Sequence, residues 1–115
     1  FALLRRHVGS ERLRINLDCG NLAILMDDPS RAVQDHADQV AYVRVKGMQG
    51  YYPFYQQCPP GEPGDIVDWE GVVAALGRVG YEGWLELVTY PWFPPDFDRT
   101  GYAWARQLLD RAASA

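Results

Sequence analysis

The chain lacks a basic cluster, and that absence makes the first exclusion. Its eleven Lys and Arg residues are outnumbered by fifteen Asp and Glu, for a net charge of −4. Only Arg5-Arg6 and the Arg12/Arg14 pair come close to a patch. Neutralising a row of phosphates needs more than that, so no nucleic-acid partner is expected. No apolar run approaches the roughly 20 residues that cross a bilayer, and no signal-peptide layout precedes Phe1. A soluble, cytoplasmic protein with no membrane partner is the default reading. Cys19 and Cys58, the two cysteines, lie far apart and in no ligand-spaced or redox motif, which fits a reduced compartment. His7 and His36 stand among polar neighbours and read as solvated surface residues.

What is present is an alternation. Strand-like segments run over Leu13–Asn21, Val40–Gly47 and Gly83–Tyr90, and each is followed by helix-like sequence. Asp27-Asp-Pro-Ser30 opens a helix over Arg31–Gln39, with Ala32, Val33 and Ala37 on one apolar face. Asp68 caps a stronger helix over Trp69–Arg78, with Val72, Val73 and Leu76 on a buried stripe and Gly80 closing it. A third runs from about Thr100 to Ala113, with Ala103, Leu108 and Leu109 inward. Strands alternating with helices at this spacing argue for βαβ units and a parallel sheet, an α/β fold. Asp18, Arg44 and Val88 then fall at matching strand ends. Two loops, Met48–Val67 and Tyr90–Arg99, follow strands and are rich in Pro and aromatic residues. Loops of that length without structure of their own are usually functional or disordered, and the aromatic content favours function.

At Asn16-Leu-Asp-Cys-Gly-Asn21, Val43-Arg-Val-Lys46, Pro60-Gly-Glu-Pro-Gly64 with Val67-Asp-Trp69, and Gly80-Tyr-Glu-Gly-Trp84, the chain resembles the sugar phosphate isomerase/epimerase family, the xylose-isomerase-like barrels. The resemblance extends from about Val8 to Leu109. It implies a partial (β/α)8 TIM barrel, with residues 1–115 supplying its C-terminal part, the last three βα units. A complete barrel of this type takes roughly 250 residues. The opening at Phe1 and the helix-tail character of Ala2–His7 fit a fragment, a cleaved product or half of a split protein. The expected partner is an N-terminal barrel segment or a second copy, because an open sheet edge invites pairing.

The resemblance also implies one divalent metal (Mn, Mg, Zn or Co) held by a Glu, an Asp, a His and a second Glu. Two Glu residues would move a proton beside a carbonyl while the metal holds the oxygens. Of these ligands Asp18 is retained. Arg44 stands where the family has His, and Val88 where it has the second Glu, both of which argue against a bound metal. Glu86 shares an inward face with Val88 but lies about 6 to 7 Å deeper along the strand. A guanidinium cannot ligate a cation and carries a fixed positive charge. Arg44 is therefore expected to take over the cation's electrostatic role, pairing with Asp18 or Glu86 or holding an anionic ligand.

Asn21, Arg44, Lys46 and Glu86 are the candidate substrate contacts, with Asp18 as ligand or substrate holder. Each has a plainer alternative: a loop-capping carboxylate at Asp18, a turn residue at Asn21, an interior ion pair for Arg44 and Glu86, and charge compensation by Lys46. Cys19 is expected to pack as a small apolar residue. Tyr51, Tyr52, Phe54 and Tyr55 fit a sugar-stacking wall or a loop cluster, and Trp69 and Trp84 fit packing roles. The favoured reading is a sugar or keto-polyol isomerase or epimerase with a degenerate metal site, active as the complete barrel and inactive as this chain alone. The alternative is a non-catalytic homologue that binds a small polar or anionic ligand. A metal-dependent endonuclease is disfavoured by the absent histidines and the acidic balance.

Overall fold

A three-stranded parallel sheet organises the chain in the computed structural model, which describes residues 1–114. Its strands are β1 (Ile15–Asp18), β2 (Val40–Val45) and, as the fifth strand of the chain, β5 (Trp84–Leu87), in the order β1-β2-β5. The register places Leu17 beside Val43 and Val43 beside Leu85, then Asp18 beside Arg44 and Arg44 beside Glu86. Because side chains alternate across a strand, these two rows point to opposite faces. The apolar row is covered by helices: α3 (Pro29–Asp35), α4 (Trp69–Arg78) and α5 (Phe97–Ser114). Leu17, Val43 and Val45 join Val33, Val72 and Leu76 in one core cluster. Fully burying a side chain of this size stabilises by about 1.5–3 kcal/mol, so this row does most to hold the sheet on its helices.

Carboxylates start the helices. Asp28 accepts the Ser30 N–H at 2.8 Å ahead of α3, with Pro29 in the first turn, and Asp68 accepts the Gly71 N–H at 3.0 Å ahead of α4. The expected cap of Asp68 on the Trp69–Arg78 helix and its buried stripe are therefore present, and the helix expected over Arg31–Gln39 begins earlier, at Pro29, and ends at Asp35. The leading helix-tail segment is α1 (Ala2–Val8), which buries no residue.

Four differences from the sequence reading have local causes. The first strand stops at Asp18 instead of continuing to Asn21. Its carboxylate captures the Asn21 N–H at 2.9 Å and starts a short helix, α2 (Cys19–Ile24). The third strand ends at Leu87, although the Val88 N–H still reaches the Val45 carbonyl at 3.0 Å. The last helix begins at Phe97, which sets its phase. Its inward stripe is Phe97, Gly101, Trp104, Leu108 and Ala112, at helical spacing, and leaves Ala103 and Leu109 exposed. A Cβ on Gly101 would meet the Phe97 ring at 2.7 Å and Leu87 Cδ2 at 2.8 Å, so glycine is what lets α5 approach β5. The fourth difference is in Met48–Val67. This stretch is not an unstructured loop but opens with an antiparallel hairpin, β3 (Gly47–Tyr51) and β4 (Phe54–Cys58), paired from Gly47–Cys58 to Tyr51–Phe54. Among the described residues no helix is long and apolar enough to cross a membrane.

Candidate functional site

Strand ends β1 and β2 bring four of the five candidate residues together, and β5 adds the fifth. Asp18 ends β1 as the cap of α2, and its Oδ1 is committed to the Asn21 N–H. Lys46 follows β2 directly and is 5% exposed. Its Nζ lies 3.0 Å from Asp18 Oδ2 and donates to Asn21 Oδ1 at 2.8 Å. Arg44, one pleat earlier, lies in register between Asp18 and Glu86. Its Nε donates to Glu86 Oε2 at 2.9 Å and its Nη1 stands 3.6 Å from Asp18 Oδ2. Two cations and two carboxylates thus interlock, with Arg44 as the link between strands.

Space for this arrangement comes from Gly20. A Cβ there would meet the Lys46 carbonyl oxygen at 2.5 Å and the Met48 side chain at 2.9 Å. Only glycine allows α2 to close on the lysine stem. Asp18 Oδ2 is buried and accepts no aligned hydrogen bond, with the Lys46 ammonium 3.0 Å and the Arg44 guanidinium 3.6 Å away. Such an oxygen is satisfied by charge alone, which leaves acceptor capacity facing the cluster. Burial pushes the Cys19 thiol up to about 12, and the Asp18 carboxylate adds to the effect. Cys19 is fully buried, as expected for a packing residue. On the same face, burial and then Glu86 raise the Tyr42 hydroxyl.

Among the described residues no three His, Cys, Asp or Glu side chains converge. Asp18 and Glu86 are both engaged by cations, and Val88, the residue after β5, is buried. Elsewhere, Trp69 is buried against Trp104 in an edge-on contact, whereas Trp84 is 79% exposed on the open face of the sheet and packs in no core. Tyr51, Tyr52, Phe54 and Tyr55 are exposed around the tip of the hairpin, with the Tyr52 and Tyr55 rings 6.5 Å apart. His36 is half-buried where α3 ends, so it is less solvated than its neighbours suggested.

Asp65 escaped the sequence reading. Its carboxylate accepts from the Met48 N–H at 3.0 Å, the Gly61 N–H at 2.8 Å, the Val67 N–H at 3.1 Å and the Trp69 indole N–H at 2.6 Å. One side chain therefore ties the hairpin, the glycine-proline loop and α4 together beside the site. A lone Asp two residues before an aliphatic residue carries no local signature of this role, since all four donors are assembled by the fold.

No family model and no curated protein sequence matches this chain. Solved structures do. A xylose isomerase domain protein from Planctomyces limnophilus matches with TM-score 0.72 and 22% identity, over 96% of this chain and 42% of that one. The mannonate dehydratase of Streptococcus suis serotype 2 matches with TM-score 0.76 and 14% identity, over 96% of this chain and 36% of that one. The chain thus spans about two fifths of the length of these neighbours. Its fold is that of part of a (β/α)8 barrel, as the alternation of strands and helices implied, with the parallel sheet left open.

Proposed function

We propose that this chain forms part of a barrel that isomerises or epimerises a sugar or keto-polyol, with Arg44 and Lys46 supplying the positive charge that a metal would otherwise provide. The observation that carries this reading is Arg44 in register between Asp18 and Glu86, with the Lys46 ammonium 3.0 Å from Asp18. Moving a proton on the carbon beside a carbonyl builds negative charge on oxygen, and fixed cations in an enclosed site stabilise it. Arg44 and Lys46 would hold the carbonyl and neighbouring hydroxyl oxygens, and Asn21 would orient the ligand through its amide. Asp18 is held by Lys46 and the Asn21 backbone and serves as a structural anion; Glu86, whose side chain is 40% exposed, is the more open proton carrier. The neighbours named for xylose and for mannonate are in keeping with a sugar-type ligand. The remaining walls of the site would come from further barrel strands, on the same chain, a separate segment or a second copy.

Solvent exchange tests this reading. The complete barrel, incubated in D2O with a panel of ketoses, aldoses and sugar acids, is expected to place deuterium on the carbon beside a carbonyl, as seen by proton NMR. Arg44→Gln should reduce that exchange at least tenfold, about 1.4 kcal/mol of transition-state stabilisation. The second reading, a barrel that only binds a polar or anionic ligand, is favoured by the ion pair that holds Glu86, the more open carboxylate, on Arg44. Saturable binding without exchange would select it. The double variant Arg44→His with Val88→Glu is expected to gain Mn²⁺ in native mass spectrometry, because it removes the repelling guanidinium and adds two donors.

A further inference from the structure

A second cleft opens on the same end of the sheet, between the β3–β4 hairpin and the loop that follows β5. It measures about 640 Å³ and is lined by Gln49, Gln56, Gln57, Glu62, Trp92 and Phe93, with Pro94 and Pro95 at its side. We infer that this cleft binds a neutral sugar ring, stacked on Trp92 and held at its hydroxyls by the glutamine amides.

Trp92 is 62% exposed and nevertheless fixed. Its ring stacks on Tyr90 with centroids 4.6 Å apart and planes inclined by 21°. Phe93 meets Tyr90 edge-on at 5.4 Å and Phe97 at 4.9 Å, and both phenylalanines are buried. An indole anchored through its neighbour to a buried ladder offers apolar surface to water without a rotamer cost on binding. Opposite, the Gln56 amide donates to Gln49 Oε1 at 2.8 Å, and Gln49 donates to the Pro63 carbonyl at 3.0 Å. These bonds fix both amides while leaving the Gln56 carbonyl oxygen unclaimed by Gln49. An amide presents a donor and an acceptor from one group, which matches a pair of adjacent hydroxyls.

Charge narrows the ligand class. Glu62 is the charged residue of the lining, so an anion is disfavoured. An apolar ligand would leave the amides without partners, a costly arrangement. A neutral polyhydroxylated ring with one apolar face satisfies both surfaces. This inference stands apart from the reading of Arg44 and Lys46, neither of which lines the cleft.

The test is saturation-transfer NMR on the full chain with cellobiose, maltose and, as a cationic competitor for Trp92 and Glu62, tetramethylammonium. One of the two disaccharides is expected to bind, with Trp92→Ala weakening it about tenfold, in keeping with the worth of an aromatic contact. Trp92→Phe should restore part of the affinity, Gln57→Ala should weaken it at least threefold, and Arg31→Gln, outside the cleft and the ion cluster, should leave it unchanged. Thermal melts of the variants confirm that each is folded. The inference is overturned if neither disaccharide binds at about 50 mM, if Trp92→Ala binds as well as the parent, or if tetramethylammonium alone binds. Loss of disaccharide binding in Arg44→Gln with Trp92→Ala unaffected would also overturn it, by placing the ring at the ion cluster.

Discussion

The two faces of the parallel sheet are built by alternate residues of the same strands and do opposite work. Leu17, Val43 and Val45 close against α3, α4 and α5, with Val43 fully buried. Asp18, Arg44 and Glu86 face the other way and hold one another by charge. The helix-covered face is stabilised by area, which tolerates small errors in geometry; the open face depends on distances between charges, which does not. A strand can thus carry a stable fold and a polar site within one pleat of each other.

The largest break in that comparison is Val43→Asp. A carboxylate placed among valines has no partner, and its burial should cost more than about 4 kcal/mol, enough to unfold the chain. Circular dichroism should show lost helix at room temperature; a folded variant would mean that the covered face is wetter than its packing indicates. Lys46→Met comes next. It leaves Asp18 Oδ2 with Arg44 at 3.6 Å as its remaining cation, and stability should fall by up to about 3 kcal/mol in urea denaturation. A loss below about 1 kcal/mol would identify the cluster as solvent-screened. Asp65→Asn, which replaces a carboxylate that accepts four hydrogen bonds, is expected to cost about 1.5–3 kcal/mol and to raise hydrogen exchange at Met48 and Gly61 specifically. Exchange rising evenly along the chain would deny Asp65 its role as the hub.

Smaller effects sharpen the contrast. Arg44→Gln should change stability by less than about 1 kcal/mol, because its side chain is 34% exposed and water screens the pair. The cysteines give a pH signal from the buried side. Burial pushes Cys58 up to about 12, with Asp65 adding to it, and Cys19 also to about 12. A folded-state value above the ordinary 9.0 means that the native protein keeps its thiol protons longer than the unfolded chain. The associated stability is complete below about pH 9 and lost as pH rises toward 12. Native protein should react negligibly with a thiol reagent at neutral pH, and fast labelling there would show that either cysteine is reached without unfolding.

Much of this was legible in the residues. The alternation of Val40–Val45 and the stripe of Val72, Val73 and Leu76 are periodic signals, and periodicity survives in any fold that buries one face. The ion cluster was partly legible, because Asp18, Arg44 and Glu86 fall at strand positions of matching parity. The end of β1 at Asp18 was not, since whether a carboxylate continues a strand or caps a helix depends on where a backbone N–H donor lands. The hairpin in Met48–Val67 was hidden for a similar reason. Its pairing joins Gly47 to Cys58, and Asp65 holds its base through donors spread from Met48 to Trp69.

The sequence by itself determined the alternating α/β order, the buried stripes and the residue types available to a site, because those follow from spacing along one chain. The tertiary structure decided which of them meet. Lys46 reaches Asp18 because Gly20 leaves room for it, and the Trp92 cleft exists because a hairpin and a distant loop converge at the same end of the sheet. Contacts between residues far apart in sequence depend on how strands register and helices pack, and no local pattern encodes that distance.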